Sequence, residues 1–242
     1  MNDTVKATRF ENLHQLTTLP HLFPVNMYLV EREDTLTLID AGLPISGRSI
    51  VRFANRLNKQ ITHVILTHAH NDHVGALSKV LQAFPQARLC VSEREAMLLQ
   101  GDMSLLPGEH NTPIKGGVKP MSQHKVDIVL KEGDKIDDLR VISLPGHTPG
   151  SIGLYSEEHR YVVVGDALST QGGLRVAGDK YWLFPFPALA TWSERTAITS
   201  AEKLAHVELS VLATGHGAMI QNPEREIVDA VAKAKEVNYA KK

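Results

Sequence analysis

The segment Thr67-His68-Ala69-His70-Asn71-Asp72-His73 puts four groups able to hold a metal within six residues. Imidazole and carboxylate at this density suit zinc and related borderline metals. His68 and His70 alternate, so in an extended segment both point to one side. Asp72 and His73 then fall where the chain turns into a helix and face a second centre. The bland alternative is a polar surface loop with chance histidines, but dense His/Asp clusters of this kind mark metal sites.

The elements that would position these groups are also legible. The run Val64-Ile65-Leu66 before the cluster is strand-like, and a helix over residues 74–84 follows it, carrying Val74, Leu77, Val80, Leu81 and Phe84 at helical spacing. Other polar residues follow strand-like runs in the same way: Asp40 after Leu36-Thr37-Leu38-Ile39, His147 after 141–146, Asp166 after 161–165 and His216 after 211–215. Motifs on successive strand ends converge at one sheet edge, where sites of α/β proteins gather. Gly146, Gly165 and Gly215 each precede the polar residue and permit a tight bend.

The remaining pattern is that of a mixed α/β fold in one domain over residues 1–242. A hairpin is expected over 25–31 and 35–40, and a helix over 48–58. Later strands are expected near 126–130, 139–144, 151–155, 161–165 and 209–213. Thr191 and Glu194 have capping-box spacing before a helix to about residue 206. Asn222-Pro223 reads as N-cap and first residue of a C-terminal helix. Residues 101–125 and 169–190 carry no periodicity, and loops of that length are usually functional.

In order and type, Asp40, the His68–His73 cluster, His147, Asp166 and His216 resemble the metallo-β-lactamase superfamily: an early aspartate, His-x-His-x-Asp-His, a lone His, an Asp and a final His. The resemblance spans residues 40 to 216. It implies a four-layer αββα sandwich of two mixed β-sheets flanked by helices. It also implies two divalent metal ions, Zn2+ first and Fe or Mn as alternatives, with His68, His70 and His147 on one, Asp72, His73 and His216 on the other, and Asp166 bridging. Asp40 would organise the loops rather than ligate. The implied chemistry is attack on a carbonyl by a hydroxide shared between the metals, with Asp72 as ligand and as a catalytic proton carrier. An aspartate at 166 resembles the glyoxalase II and lactonase branches more than true β-lactamases. Lactonases of acyl-homoserine lactones often carry a tyrosine three positions later, where this chain has Ser169.

The expected activity is therefore hydrolysis of an ester, thioester or lactone of a small molecule. A β-lactamase, a phosphodiesterase and a mononuclear-iron persulfide dioxygenase are the alternatives on the same scaffold, and a non-enzymatic metal-binding module ranks last. Formal net charge is −1 without runs of like charge, which argues against nucleic acid and anionic membranes as partners. No stretch reaches membrane-spanning length, and the N-terminus lacks a signal-peptide core, so a cytoplasmic location is expected. The single cysteine, Cys90, reads as a buried strand thiol. Selectivity is expected from the two long segments, with Leu105, Leu106, Tyr181, Trp182 and Phe184 as pocket residues. A homodimer contact is the competing use of the aromatic group. Thr67, Thr148 and Ser151 read first as strand caps and second as hydrogen-bond donors behind the ligands.

Overall fold

The computed structural model describes residues 5–121 and 123–240; positions 1–4, 122, 241 and 242 of the expected domain lie outside the described residues. In chain order the elements are β1 (Val5–Phe10), β2 (Leu13–Thr18), β3 (Val25–Glu31), β4 (Thr35–Ile39), α1 (Gly47–Arg56), β5 (Gln60–Ile65), α2 (Asn71–Val74), α3 (Leu77–Ala83), β6 (Arg88–Ser92) and α4 (Glu93–Leu99). There follow β7 (Ile128–Leu130), β8 (Lys135–Ile136), β9 (Leu139–Ser143), β10 (Ile152–Ser156), β11 (Tyr161–Val163), β12 (Leu168–Ser169), β13 (Arg175–Val176), α5 (Phe186–Leu189), α6 (Glu194–Leu204), β14 (Val211–Ala213), β15 (Ile220–Gln221) and α7 (Glu224–Tyr239).

Strands β1 to β7 make one sheet in sequence order, antiparallel through β4 and parallel beyond it. The second sheet runs β15-β14-β11-β10-β9-β8 and is mixed, with β11 and β14 parallel. Period-two alternation sorts the side chains into layers. In β3, Val25, Met27 and Leu29 pack outward with Ile50 and Ala54 of α1 and Leu77 and Val80 of α3. Tyr28 and Val30 point the other way, into a layer with Val141, Leu154, Tyr161, Val163, Val211 and Ala213 of the second sheet. Val162, Val164 and Leu212 leave that layer for α6 and α7, meeting Ala197, Ala201, Ile227 and Val231. The result is the αββα sandwich. Each buried aliphatic side chain contributes roughly 1.5–3 kcal/mol, so a one-residue slip that exchanged the faces of β11 would be prohibitive. Cys90 sits in the layer between the sheets, where burial pushes its thiol up to about 12.

Several expectations are corrected. The helix expected over 74–84 is two short ones, α2 and α3, broken at Gly75-Ala76. Gly75 lies against the neighbouring turn, where a Cβ would meet Pro44 Cδ at 2.6 Å and Gly42 O at 2.8 Å. The N-cap of α6 is Ser193, whose side chain accepts from Thr196 N, and not Thr191. The cap of α7 is Pro223, one residue later than expected, with Asn222 at φ 49. Hairpin β1–β2 and helix α4 were not anticipated. Segment 169–190 contains the small β12–β13 pair and α5. Among the described residues no helix is long and apolar enough to cross a membrane.

Candidate metal centre

The loops after β4, β5, β9, β11 and β14 meet at one edge of the sandwich, carrying Asp40, His68 to His73, His147, Asp166 and His216. Two glycines make the convergence possible. Gly165 has φ +52, and a Cβ there would stand 2.4 Å from Thr67 Oγ1. A Cβ on Gly215 would stand 2.1 Å from Asp166 Oδ1.

Each histidine of the set has one ring nitrogen engaged on the side away from the centre, and the partners determine which nitrogen carries the proton. The carbonyls of Lys115 and Pro24 can only accept, so His70 Nε2–H donates to the first at 2.9 Å and His216 Nδ1–H to the second at 2.6 Å. His73 Nδ1–H donates to Asp40 Oδ2 at 2.8 Å. Thr191 Oγ1 donates to Pro187 O, so it accepts from His147 Nδ1–H at 3.1 Å. Thr67 Oγ1 donates to Asp40 Oδ2, so it accepts from His68 Nδ1–H at 3.1 Å. The ring nitrogens left over, His68 Nε2, His70 Nδ1, His73 Nε2, His147 Nε2 and His216 Nε2, all face inward, His216 Nε2 toward Asp166 Oδ2. Outer hydrogen bonds that fix tautomer and ring orientation are the usual support of metal-ligating histidines.

The inward atoms fit a cation. Among the described residues three groups have ligand atoms within 4.8 Å of one another: His68, His70 and His147; His68, His73 and Asp166; Asp72, His73 and His216. His70 Nδ1 and His147 Nε2 stand 2.9 Å apart, two lone pairs that repel unless a positive charge lies before them. His68 Nε2 is buried without a hydrogen-bond partner, a cost of about 1–3 kcal/mol that ligation removes, and His73 Nε2 and Asp166 Oδ1 meet only as an ion pair. Asp166 lies between the groups, with Oδ2 at 3.1 Å from His216 Nε2 and 3.4 Å from His147 Nε2, and Oδ1 at 3.4 Å from His73 Nε2.

The electrostatics are mutual. Burial holds His68 and His147 well below the usual histidine value, which keeps them neutral. Burial also disfavours charge on His73, but Asp166, Asp40 and Asp72 outweigh it and raise its pKa well above that value. Burial alone would raise the Asp166 carboxyl; His216 and His73 hold it well below the carboxylate range. Asp40 ties the arrangement together, with Oδ1 accepting from Thr67 N at 2.8 Å as Oδ2 accepts from the Thr67 hydroxyl and His73.

Sequence reasoning missed or misread several supports. Thr67 and Thr191 orient ligands instead of capping strands or helices. Asn26 donates to Thr214 O and Gly217 O, holding the turn that carries His216. Glu95, fully buried, accepts from Ala69 N, Gly150 N and the Thr148 hydroxyl, and burial raises its carboxyl to about 7. The spacing Ser92-x-x-Glu95 is a capping box that would have disclosed α4 and drawn attention to Glu95; Ser92 Oγ does cap Glu95 N.

A cavity of about 400 Å³ opens over His70, Asp72, His147, Asp166 and His216, lined also by the apolar Phe23, Leu43, Phe186, Pro187, Leu189 and Ala190 and by Asn71, Gly116 and Gly117. Both long segments therefore reach the site, but largely through residues other than those expected. Leu105 and Leu106 do not line the cavity, because the Arg94–Glu109 pair draws that part of the loop onto α4. Tyr181 turns away under the Arg175 guanidinium, 4.7 Å from its ring centre, and Trp182 is 81% exposed. Phe184 backs the site, packing 5.2 Å from the His216 ring and 5.3 Å from Phe23.

Comparisons with known proteins agree with this geometry. The chain is 46% identical over 231 residues to the uncharacterized protein YobT of Bacillus subtilis (strain 168), covering 96% of this chain and 99% of that one. It is 32% identical over 213 residues to the probable metallo-hydrolase YflN of the same organism, covering 79% and 80%. Hydroxyacylglutathione hydrolase of Aeromonas hydrophila subsp. hydrophila matches at 27% over 164 residues, 66% of this chain and 53% of that enzyme. The solved metallo-beta-lactamase from Pontibacter korlensis superposes with a TM-score of 0.73 at 13% identity, covering 96% and 99%, a likeness of fold alone. The family model of the metallo-beta-lactamase superfamily matches residues 21–216, a span holding every residue of the centre just described, and the chain belongs to that superfamily.

Proposed function

We propose that this chain hydrolyses an ester, thioester or lactone whose acyl or ring part is apolar, with two divalent metals held by the clustered histidines and aspartates. The observation that carries the reading is the position of Asp166: a buried carboxylate between two histidine groups, at the floor of a cavity with one apolar wall. His68, His70 and His147 would hold one metal, Asp72, His73 and His216 the other, and Asp166 both. When bound, such metals supply a nucleophile at neutral pH by acidifying water and polarise the scissile carbonyl.

The chain's own residues do the rest. Phe186, Pro187 and Leu189 receive the apolar group and exclude water from it. Asn71, which also lines the cavity, would orient a polar substrate atom. Asp72, with its side chain 23% exposed against 3% for Asp166 and Oδ2 at 3.5 Å from His216 Nε2, is the more accessible of the two carboxylates lining the cavity, and it carries the proton to the leaving group. Among the described residues no lysine or arginine lines the cavity, which favours a neutral acyl or ring group over an anionic one. The metallo-hydrolase and hydroxyacylglutathione hydrolase relatives support hydrolysis as the reaction class.

A panel of aryl esters, thioesters and lactones on zinc-loaded protein tests the reading, with β-lactams and phosphodiesters beside them. Turnover that rises with the size of the acyl group is expected, with weak or absent β-lactam cleavage. Efficient β-lactam or phosphodiester cleavage together with inactivity on esters would reverse it. Metal analysis that never exceeds one equivalent would remove the second metal and the bridging role of Asp166.

A further inference from the structure

Two of the loops that build the centre come from different sheets. The turn with His68 and His70 follows β5 of the first sheet, and the turn with His147 follows β9 of the second. One backbone bond, Ile152 N to Thr67 O at 3.0 Å, joins them on the approach to His68. Next to the ligands themselves the connection is a side chain. Glu95 Oε2 accepts from Ala69 N at 2.7 Å, between His68 and His70. Its Oε1 accepts from the Thr148 hydroxyl at 2.6 Å and from Gly150 N at 2.9 Å, just past His147. Both sides are fitted to it. A Cβ on Gly150 would lie 2.8 Å from Glu95 Oε1. Ser92 both caps Glu95 N and donates to Gly150 O at 2.7 Å.

We propose that Glu95 is a positioning residue, a carboxylate brace that sets the separation of His70 and His147 and so shapes the His68–His70–His147 group for metal. This rests on the ligand assignment made above. Glu95 is 0% exposed, and the guanidinium of adjacent Arg94 is turned away to Glu109 and Ser104 O. A buried carboxylate served only by neutral donors is costly for stability. What it offers in return is two acceptor oxygens at one point. Glutamine of the same length offers one acceptor and one donor, so its amide N–H would face either Ala69 N–H or Gly150 N–H.

The test is a chelator-competition titration with zinc on wild type, Glu95→Gln, Thr148→Val and Thr148→Ser, with the absorption spectrum of the cobalt(II) forms and thermal unfolding in parallel. Loss of supports around ligands weakens metal by about 10–100-fold. Glu95→Gln should weaken one equivalent by that factor, leave the other near wild type, and change the cobalt spectrum. Thr148→Val should weaken the same equivalent to a smaller degree, and Thr148→Ser, which keeps the hydroxyl, should restore it. In turnover, kcat should fall with KM little changed, since Glu95 does not line the cavity. Folded Glu95→Gln with wild-type affinity at every equivalent would overturn the proposal. So would equal weakening of both equivalents in step with a lowered melting temperature, the mark of a general structural role. If wild type holds one equivalent only, the two-metal reading fails, and the brace stands or falls on whether that equivalent weakens in Glu95→Gln.

Discussion

Replacing Asp40 tests whether the loops are organised as the hydrogen bonds indicate. Its carboxylate is 2% exposed and accepts three bonds: Thr67 N at 2.8 Å on Oδ1, and the Thr67 hydroxyl at 2.7 Å and His73 Nδ1–H at 2.8 Å on Oδ2. In Asp40→Asn the amide oxygen best takes the Oδ2 position, where it still accepts two bonds. The NH2 then faces Thr67 N–H, donor against donor. Both the Thr67 N–H and the new NH2 are left unsatisfied, costing at least about 1–3 kcal/mol. At 2–4 °C per kcal/mol for a chain of this size, the melting temperature should fall by about 4–8 °C for a central loss of about 2 kcal/mol. Asp40→Ala abandons all three donors and should cost about 3 kcal/mol or more. His73 also loses the negative partner that strengthens its lone pair, so its metal should weaken about 10–100-fold. Calorimetry and chelator competition on the same samples read both effects. An Asp40→Asn protein that melts within about 1 °C of wild type and holds metal as tightly would refute the reasoning.

Further expectations concern the ligands, the cavity and acid stability. Asp166→Ala should weaken both equivalents of metal and abolish most hydrolysis, whereas His216→Ala should lose chiefly one equivalent; full occupancy in both by elemental analysis would exclude them as ligands. Phe186→Ala and Leu189→Ala should raise KM for substrates with large acyl groups by several-fold, about 1 kcal/mol of lost burial, while Trp182→Ala, 81% exposed, should leave kinetics unaltered; the reverse pattern would move the substrate wall to Trp182. Lys59 and His14, each 2.8 Å from Glu31, hold its carboxyl at about 2 against an ordinary 4.5. A depressed acid stabilises the fold above its unfolded value and loses that contribution as pH falls through the folded one, so Glu31→Gln should be destabilised at neutral pH and should match wild type by pH ~2. The full shift is worth about 3 kcal/mol, reduced to about 1–2 by the partly solvated site; parallel denaturation curves at every pH would show that the pair carries no stability.

The chemistry was easier to read than its supports, for a physical reason. Ligands must be imidazole or carboxylate, so their types stand out, and strand-end positions follow from apolar runs such as 161–165. The supports use common residues in unremarkable contexts. Thr191 has the spacing of a cap, yet its hydroxyl is spent on His147 and Pro187, and Ser193 caps the helix instead. Strand β2 was invisible because His14, Gln15, Thr17 and Thr18 break the apolar alternation; they are buried by pairing with Glu31, Asn26 and Ser46. The break between α2 and α3 falls at Ala76, whose φ −99 and ψ 6 leave the helical range, and the apolar spacing of 74–84 runs straight through it. The cavity wall escaped for a similar reason: Phe186 and Leu189 share an aromatic-rich stretch with Tyr181 and Trp182, and only the course of α5 decides which of them face the cavity.

The five imidazoles differ in what anchors them, and this divides the protein's tolerance of sequence drift. His68, His73 and His147 depend on the side chains of Thr67, Asp40 and Thr191. His70 and His216 are held by main-chain carbonyls, those of Lys115 and Pro24. A carbonyl is present whatever residue occupies the position. Position 115 can therefore exchange its side chain while the proton on that imidazole stays in place, but Gly116 cannot, because a Cβ there would stand 2.1 Å from His70 Nε2. Changes at 40, 67 or 191 have no such freedom. The support of His70 thus depends on the path of the backbone at 115–116, and that of His73 on a carboxylate.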